Sequence, residues 1–363
     1  MLTATARGRA IIEPMPANDR MPCLWSRRSL LVALTVGSMT TLSGCSVQLE
    51  DDAPRTPDMP PRQPMPDEQA LLTARRDAVR LRDLAAGLGG SSTPMAVVLA
   101  AVHGVQADVL ESVLRSGGVP PAEIAATTTT PTTAAPTAAP TPTAAPTAAP
   151  TAAPTAATTA APTAAPTPTS GVSELVTAEG EALSAQSLSD LAGISAGRTA
   201  LLGSMTAQRA AAVRLLGGRL PSAGTLTSPT GEPAAALLEA IRSAVYGFEV
   251  VAAQTDARHR KAAAETLGAL RARSSELRLL AGSAATPIPL GYTLPFPVST
   301  PSAALRLATH LMTALRESVA SQLPAATGDA AGLTGTVHLL TDVCVHAVTW
   351  RVPLTAFPGL SVT

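Results

Sequence analysis

The twenty residues PAAALLEAIRSAVYGFEVVA (233–252) decide how the chain folds. Leu237, Leu238, Ile241, Val245, Phe248 and Ala252 recur at three- and four-residue spacing, the period of a helix with one buried face. Pro233 stands where a first helical residue needs no backbone donor. Beyond this stretch the pattern predicts a second helix from about residue 257 to Ala281, stopped by Gly282. An irregular segment with Pro287, Pro289, Pro295 and Pro297 follows. Thr300-Pro301 then opens a third helix whose Ala308, Leu311, Leu315 and Val319 form one stripe, ending before Pro324. A fourth helix, about 329–352, ends ahead of Pro353. Two tight hairpins joined by one long crossover predict a four-helix bundle over residues 232–360.

Working back toward the N-terminus, residues 172–218 read as a helical hairpin, with stretches at about 172–190 and 193–216 stopped by Gly217-Gly218. Residues 119–171 read as a disordered linker: between Ala126 and Ser170 the chain is nearly pure Thr, Ala and Pro in near-repeats of Thr-Ala-Ala-Pro. A proline at every fourth or so position forbids a helix there. Fully extended, the linker could reach on the order of 140 Å. Its threonines would accept O-linked sugar in an exported protein, or serve as an unmodified spacer. Residues 67–118 predict another hairpin, with Leu71, Leu81 and Leu84 on its first helix and the stripe Val98, Val102, Val105, Val109, Leu114 on its second. Residues 46–66, proline-rich and without apolar period, read as a disordered tether. The two N-terminal hairpins should pair, since neither can bury its apolar face alone. The expected fold class is all-α, a four-helix bundle of the ferritin-like kind preceded by further helical hairpins and a long disordered Pro/Thr/Ala linker.

Residues 1–45 read as a lipoprotein signal peptide. From Met21 the chain runs through Arg27-Arg28 into a mostly apolar stretch ending at Leu42, too short to span a bilayer as a stable helix. Leu42-Ser43-Gly44-Cys45 resembles a lipobox, in which small residues admit the peptidase and the thiol of Cys45 accepts diacylglycerol. The Ser26-Arg27-Arg28-Ser29-Leu30-Leu31 run also resembles a twin-arginine signal, which implies export of a folded protein. The expected location is the extracytoplasmic face of the cell membrane, lipid-anchored.

Cleavage before Cys45 would remove five basic and two acidic residues, leaving 21 basic against 24 acidic. That balance argues against a nucleic-acid partner, which needs a concentrated basic face. Six of the seven aromatics lie between Tyr246 and Phe357, so the best-specified core should be there. Cys23 leaves with the signal and Cys45 carries lipid, so Cys344 has no intramolecular partner and no disulfide framework is expected.

The stretch Ala244-Val245-Tyr246-Gly247-Phe248, the crossover Tyr292-Thr293-Leu294-Pro295-Phe296-Pro297-Val298, and the tail from Trp350-Arg351 through Thr355-Ala356-Phe357-Pro358-Gly359-Leu360 resemble the ferritin-like domain of unknown function at the C-terminus of actinobacterial exported proteins. The resemblance covers about residues 232–360 and implies a four-helix bundle without an assigned activity. Many members of that family place a Glu-His pair just before the Ala-Val-Tyr segment, where this chain has Ile241 and Arg242. A second frequent His aligns with Leu270, ahead of Arg271-Ala272-Arg273. Both departures remove possible metal ligands.

A di-metal bundle needs inward carboxylates and Glu-x-x-His pairs, and no Glu-x-x-His occurs in the chain. Asp256-x-x-His259 falls at a helix turn. His338, Asp342 and His346 share a helix face but point away from Val337, Leu340, Cys344 and Ala347, so they read as a solvated stripe or a contact face. Glu239, Glu249 and Glu317 read as exposed flanks, Cys344 as inert packing, and His103 as a partly exposed helix residue. No Gly-rich phosphate loop is present. The reading therefore assigns no catalytic, cofactor-binding or metal residue and no cofactor. It expects a membrane-tethered, non-enzymatic binding or scaffold protein whose partner is an envelope protein or a cell-wall component. The alternative is a metal-binding ferritin-like protein that oxidises or stores iron outside the cytoplasm.

Overall fold

The structure, a computed structural model, describes residues 62–89, 93–126, 168–220 and 225–361. The lipidation residue Cys45, the export arginines Arg27 and Arg28, and most of both expected disordered segments lie outside these. The described residues fall in one compact unit and are all-helical, with no strand among them. They form α1 (Glu68–Gly87), α2 (Pro94–Ser116), α3 (Pro121–Ala125), α4 (Pro168–Gly180), α5 (Ala185–Ala192), α6 (Ala196–Leu215), α7 (Glu232–Gln254), α8 (Arg260–Ala281), α9 (Pro301–Ala320) and α10 (Ala330–Thr349). The short α3 and the first turn of α4 fall within the span read as linker, and the stretch read as one helix at 172–190 is broken by a 3-10 turn at Glu181–Leu183.

Local chemistry sets the helix ends. The Thr300 hydroxyl accepts from the Ala303 backbone N–H at 3.2 Å with Pro301 in the first turn, and Asp329 caps α10 by accepting from Gly332 N–H at 2.9 Å. The close of α8 at Gly282, where φ is +54°, needs a residue without a side chain.

Contacts fix the direction of each bundle helix. Gly231 N–H donates to Leu280 O at 3.0 Å, so α7 begins where α8 ends. A Cβ on Gly247, late in α7, would press into the Leu311 side chain in the middle of α9, while Ala236 near the start of α7 shares a groove with Gln322 just past the end of α9, so these two helices also run antiparallel. Only residues 321–329 separate α9 from α10, and the end of α10 meets the first half of α9, where the Thr309 hydroxyl donates to Trp350 O, which sets α9 antiparallel to α10. The crossover must therefore carry the chain from one end of the bundle to the other, about 33 Å for a helix the length of α8. The sixteen residues 285–300 cover it in irregular, mostly exposed backbone. Phe248 packs edge-on against Trp350 with ring centroids 5.5 Å apart, and the Trp350 indole N–H donates to Thr266 Oγ1 at 3.0 Å.

The N-terminal part departs from the expected pairing of two hairpins. α4 meets α1 and α6, but α6 lies mainly along α10 as a fifth bundle helix. Every residue of α6 from Thr199 to Val213 is buried. Its small side chains permit this: a Cβ on Gly203 would already sit 3.1 Å from Leu323, so neighbouring helices close in on all sides. On α2 the buried face is Leu99, His103, Gln106 and Leu110, whereas Val98 and Val105 are 41% and 51% exposed. The expected valine stripe is thus turned partly to solvent.

The tail after α10 joins the two parts. Gln106 Nε2 donates to Ala356 O and the Ser204 hydroxyl to Pro358 O, both at 2.8 Å. Phe357 and Ala356 share a buried cluster with Leu71, Leu110, Leu114, Leu202 and Met205.

Candidate functional site

Within the bundle, a cavity of ≈ 320 Å³ is lined by Ile241 of α7, Leu270 and Arg273 of α8, Asp342 and His346 of α10, and Arg214 at the end of α6. Of the three positions at which the family resemblance implies ligands, Ile241 and Leu270 are buried apolar side chains and Arg242 is a cation that donates to Thr286 O. Asp342 is held by two guanidiniums. Arg214 Nη1 donates to its Oδ1, while Arg273 Nε donates to its Oδ2 at 3.0 Å with Nη2 2.8 Å away. Arg273 also donates to Glu276 at 2.6 Å. His338 and His346 are half-buried, and burial holds both below the usual imidazole range against the opposing pull of Asp342. The stripe is therefore a contact face, with α6 and α8 brought onto it by Arg214 and Arg273. A metal does not fit here. Both carboxylates that line the cavity, Asp342 and Glu276, are paired with arginines, and no group of three His, Cys, Asp or Glu side chains among the described residues is placed to hold an ion.

A second polar cluster sits where α1, α2, α4 and α6 meet. His103 and Glu179 are both fully buried, with His103 Nε2 2.7 Å from Glu179 Oε1. His103 Nδ1 lies 2.8 Å from Gln106 Oε1, and Gln106 Nε2 donates to Gln208 Oε1 and to Ala356 O. A carbonyl oxygen can only accept, so Ala356 fixes which end of the Gln106 amide is the NH₂. Oε1 is left facing His103, whose Nδ1 must then carry a proton. The contact to Glu179 needs one proton as well, held either by the imidazole or by the carboxyl. On the far side Arg209 Nη2 donates to Ala178 O at 2.8 Å, while Nη1 lies 3.5 Å from Asp77 and Nε 3.6 Å from the second Glu179 oxygen. Sealed from solvent, the His103–Glu179 pair meets no solute; its chemistry is to hold four helices and the tail together. His103 is thus no partly exposed residue, and sequence reading missed it because its partners lie 76 or more residues away apart from Gln106.

The boundaries of the bundle and its tail coincide with a family. Residues 234–362 match the domain of unknown function DUF4439. Neither a curated protein nor a solved structure matches the chain. The DUF4439 domain covers α7 to α10 and nearly all of the tail, close to the span expected from the residues. Its scattered carboxylates sit on the outside: Glu249 pairs with Arg271 at 2.8 Å, Glu239 accepts from the Tyr292 hydroxyl at 2.9 Å, and Glu317 is exposed. Asp256 and His259 pair at 2.7 Å in the α7–α8 turn. Cys344 of the DUF4439 domain is buried, and burial pushes its thiol up to about 12.

Proposed function

We propose that this chain is a lipoprotein held to the outer face of a membrane through Cys45, and that its helical body is a non-enzymatic binding or scaffold module of the cell envelope. The tether rests on Leu42-Ser43-Gly44-Cys45 behind the Arg27-Arg28 run, with the compact unit beginning only at Arg62. The observation that supports the non-enzymatic reading is the bundle interior, where Ile241, Arg242 and Leu270 stand at the positions for which the resemblance implies ligands and Asp342 is clamped by Arg214 and Arg273. An envelope protein or a cell-wall component is the partner this reading calls for.

Two measurements test it. Fractionation of cells producing the Cys45→Ala chain should move the protein from membrane to soluble fractions, and unchanged retention would refute the tether. Metal analysis after incubation with Fe(II), Zn(II) or Mn(II) and desalting should find no stoichiometric metal. A retained equivalent would instead favour a metal-binding bundle and sink the scaffold reading.

A further inference from the structure

Three aliphatic side chains stand out into solvent on the α8 side of the bundle: Leu279 is 83% exposed, Ile288 67% and Leu290 fully exposed. Ile288 and Leu290 belong to Pro287-Ile288-Pro289-Leu290 in the crossover, where the two prolines contribute no backbone N–H. A segment so poor in donors loses little hydrogen bonding when it leaves water. Beneath it lies a groove of ≈ 290 Å³ lined by Arg242, Tyr246, Arg278, Ile288, Leu290 and Tyr292. Tyr246 and Tyr292 pack with centroids 5.8 Å apart, and the tyrosine hydroxyl of Tyr292 is taken by Glu239. Arg242 is turned inward to Thr286 O. Arg278, beside Leu279, is exposed and makes no ion pair among the described residues, whereas Arg271 is matched by Glu249. The rim therefore presents protruding aliphatics next to an unmatched positive charge.

Where the chain enters the body bears on what covers this rim. Asp67 accepts from Ser195 N–H at 3.0 Å, which puts the start of α1 beside the start of α6. Gly328 N–H donates to Ala192 O at 2.8 Å, adding the start of α10 to the same end. Ser228, just before α7, lies against Gly335 near the start of α10, and Gly231 meets Leu280. The tether thus joins the body at the end where α8 finishes with Leu279. Residues 46–61 would allow about 50 Å between that end and Cys45 at full extension.

We propose that Leu279, Ile288 and Leu290 with Arg278 form a lipid-docking face whose occupant is an anionic phospholipid surface. Its setting rests on the tether reading. The aliphatics enter the interface and the guanidinium sits among phosphates, so that the body lies against the membrane that anchors it.

The test uses the chain from residue 46 with Cys45 absent, which keeps the compact unit and removes both acyl chain and signal. It should co-sediment with vesicles containing phosphatidylglycerol, and far less with phosphatidylcholine alone. The Ile288→Asp/Leu290→Asp variant should lose about tenfold or more in partitioning, and Arg278→Glu about fivefold, with weaker salt dependence. Both change exposed residues, so their thermal unfolding should match the unaltered protein. Absence of vesicle binding, or binding that the double variant leaves intact, would overturn the proposal. So would a dimer of the unaltered protein that the double variant dissolves, since the face would then belong to a second copy. Because no lipid anchor is present, failure here is distinct from failure of the Cys45→Ala fractionation.

Discussion

Glu179 places a carboxylate oxygen 2.7 Å from Nε2 of His103, and neither side chain has any exposed surface. Removing one member of such a pair strands the other without water. His103→Ala and Glu179→Ala should each cost about 3–5 kcal/mol in urea unfolding. The double variant should cost clearly less than their sum, because the second deletion removes a group already unpaired. Additive losses would show that the pair does not act as a unit.

Gly335 lies where the backbone of Ser228 crosses α10, and a Cβ there would overlap the Ser228 carbonyl oxygen. Gly335→Ala should therefore destabilise by about 3 kcal/mol, since backbone cannot move aside as a side-chain end can. Gly268 on α8 has nothing within 4 Å of a built Cβ, and Gly268→Ala should stabilise by about 0.5–1 kcal/mol. Calorimetry of the two variants should give shifts of opposite sign.

The thiol of Cys344, pushed up to about 12 by burial, stays protonated at mildly alkaline pH. Iodoacetamide should leave it unmodified in the folded chain and alkylate it in urea, as read by intact mass. Alkylation at comparable rates in both states would place the thiol at the surface.

His338 and His346 are held below the ordinary value of 6.5, first by burial. The unfolded chain therefore binds protons that the folded chain refuses. Stability from this source is complete above 6.5 and is lost as pH falls below it through the folded values. The urea midpoint should decline in that window, and His338→Asn/His346→Asn should flatten the decline. Glu68 and Glu111 are held low by Arg62 and Arg75, so their loss comes only below the ordinary carboxylate value of 4.5 and is separable.

The bundle was legible in sequence because its signals are local. Ala308, Leu311, Leu315 and Val319 are all buried as their spacing predicts, as are Ile241 and Phe248. The face of α2 was not. Of the expected stripe Val102 and Leu114 are buried but Val98 and Val105 face solvent, and the inward face is filled instead by a stripe that contains His103 and Gln106. Burial of those two is tolerated only because Glu179, Gln208 and Ala356 satisfy them, and no local pattern announces partners so far along the chain. Likewise α6, rich in alanine, reads as a weak hairpin helix, but small side chains are what let a helix be enclosed on every side. Arg214 and Arg273 carry no sign in sequence that both would converge on Asp342.

The capture of Ala356 by Gln106 closes a separation of 250 residues. During synthesis α2 leaves the ribosome long before the tail does, and until then the Gln106 amide lacks one of its acceptors and the slot that Phe357 fills has only water to meet. The first hairpin thus waits, half-finished, for the last part of the DUF4439 domain. Contacts so distant form slowly, and a chain caught in the interval exposes the apolar surface that invites aggregation. Refolding should consequently show early helix formation and a late, rate-limiting locking step that a chain ending at Pro353 would never complete.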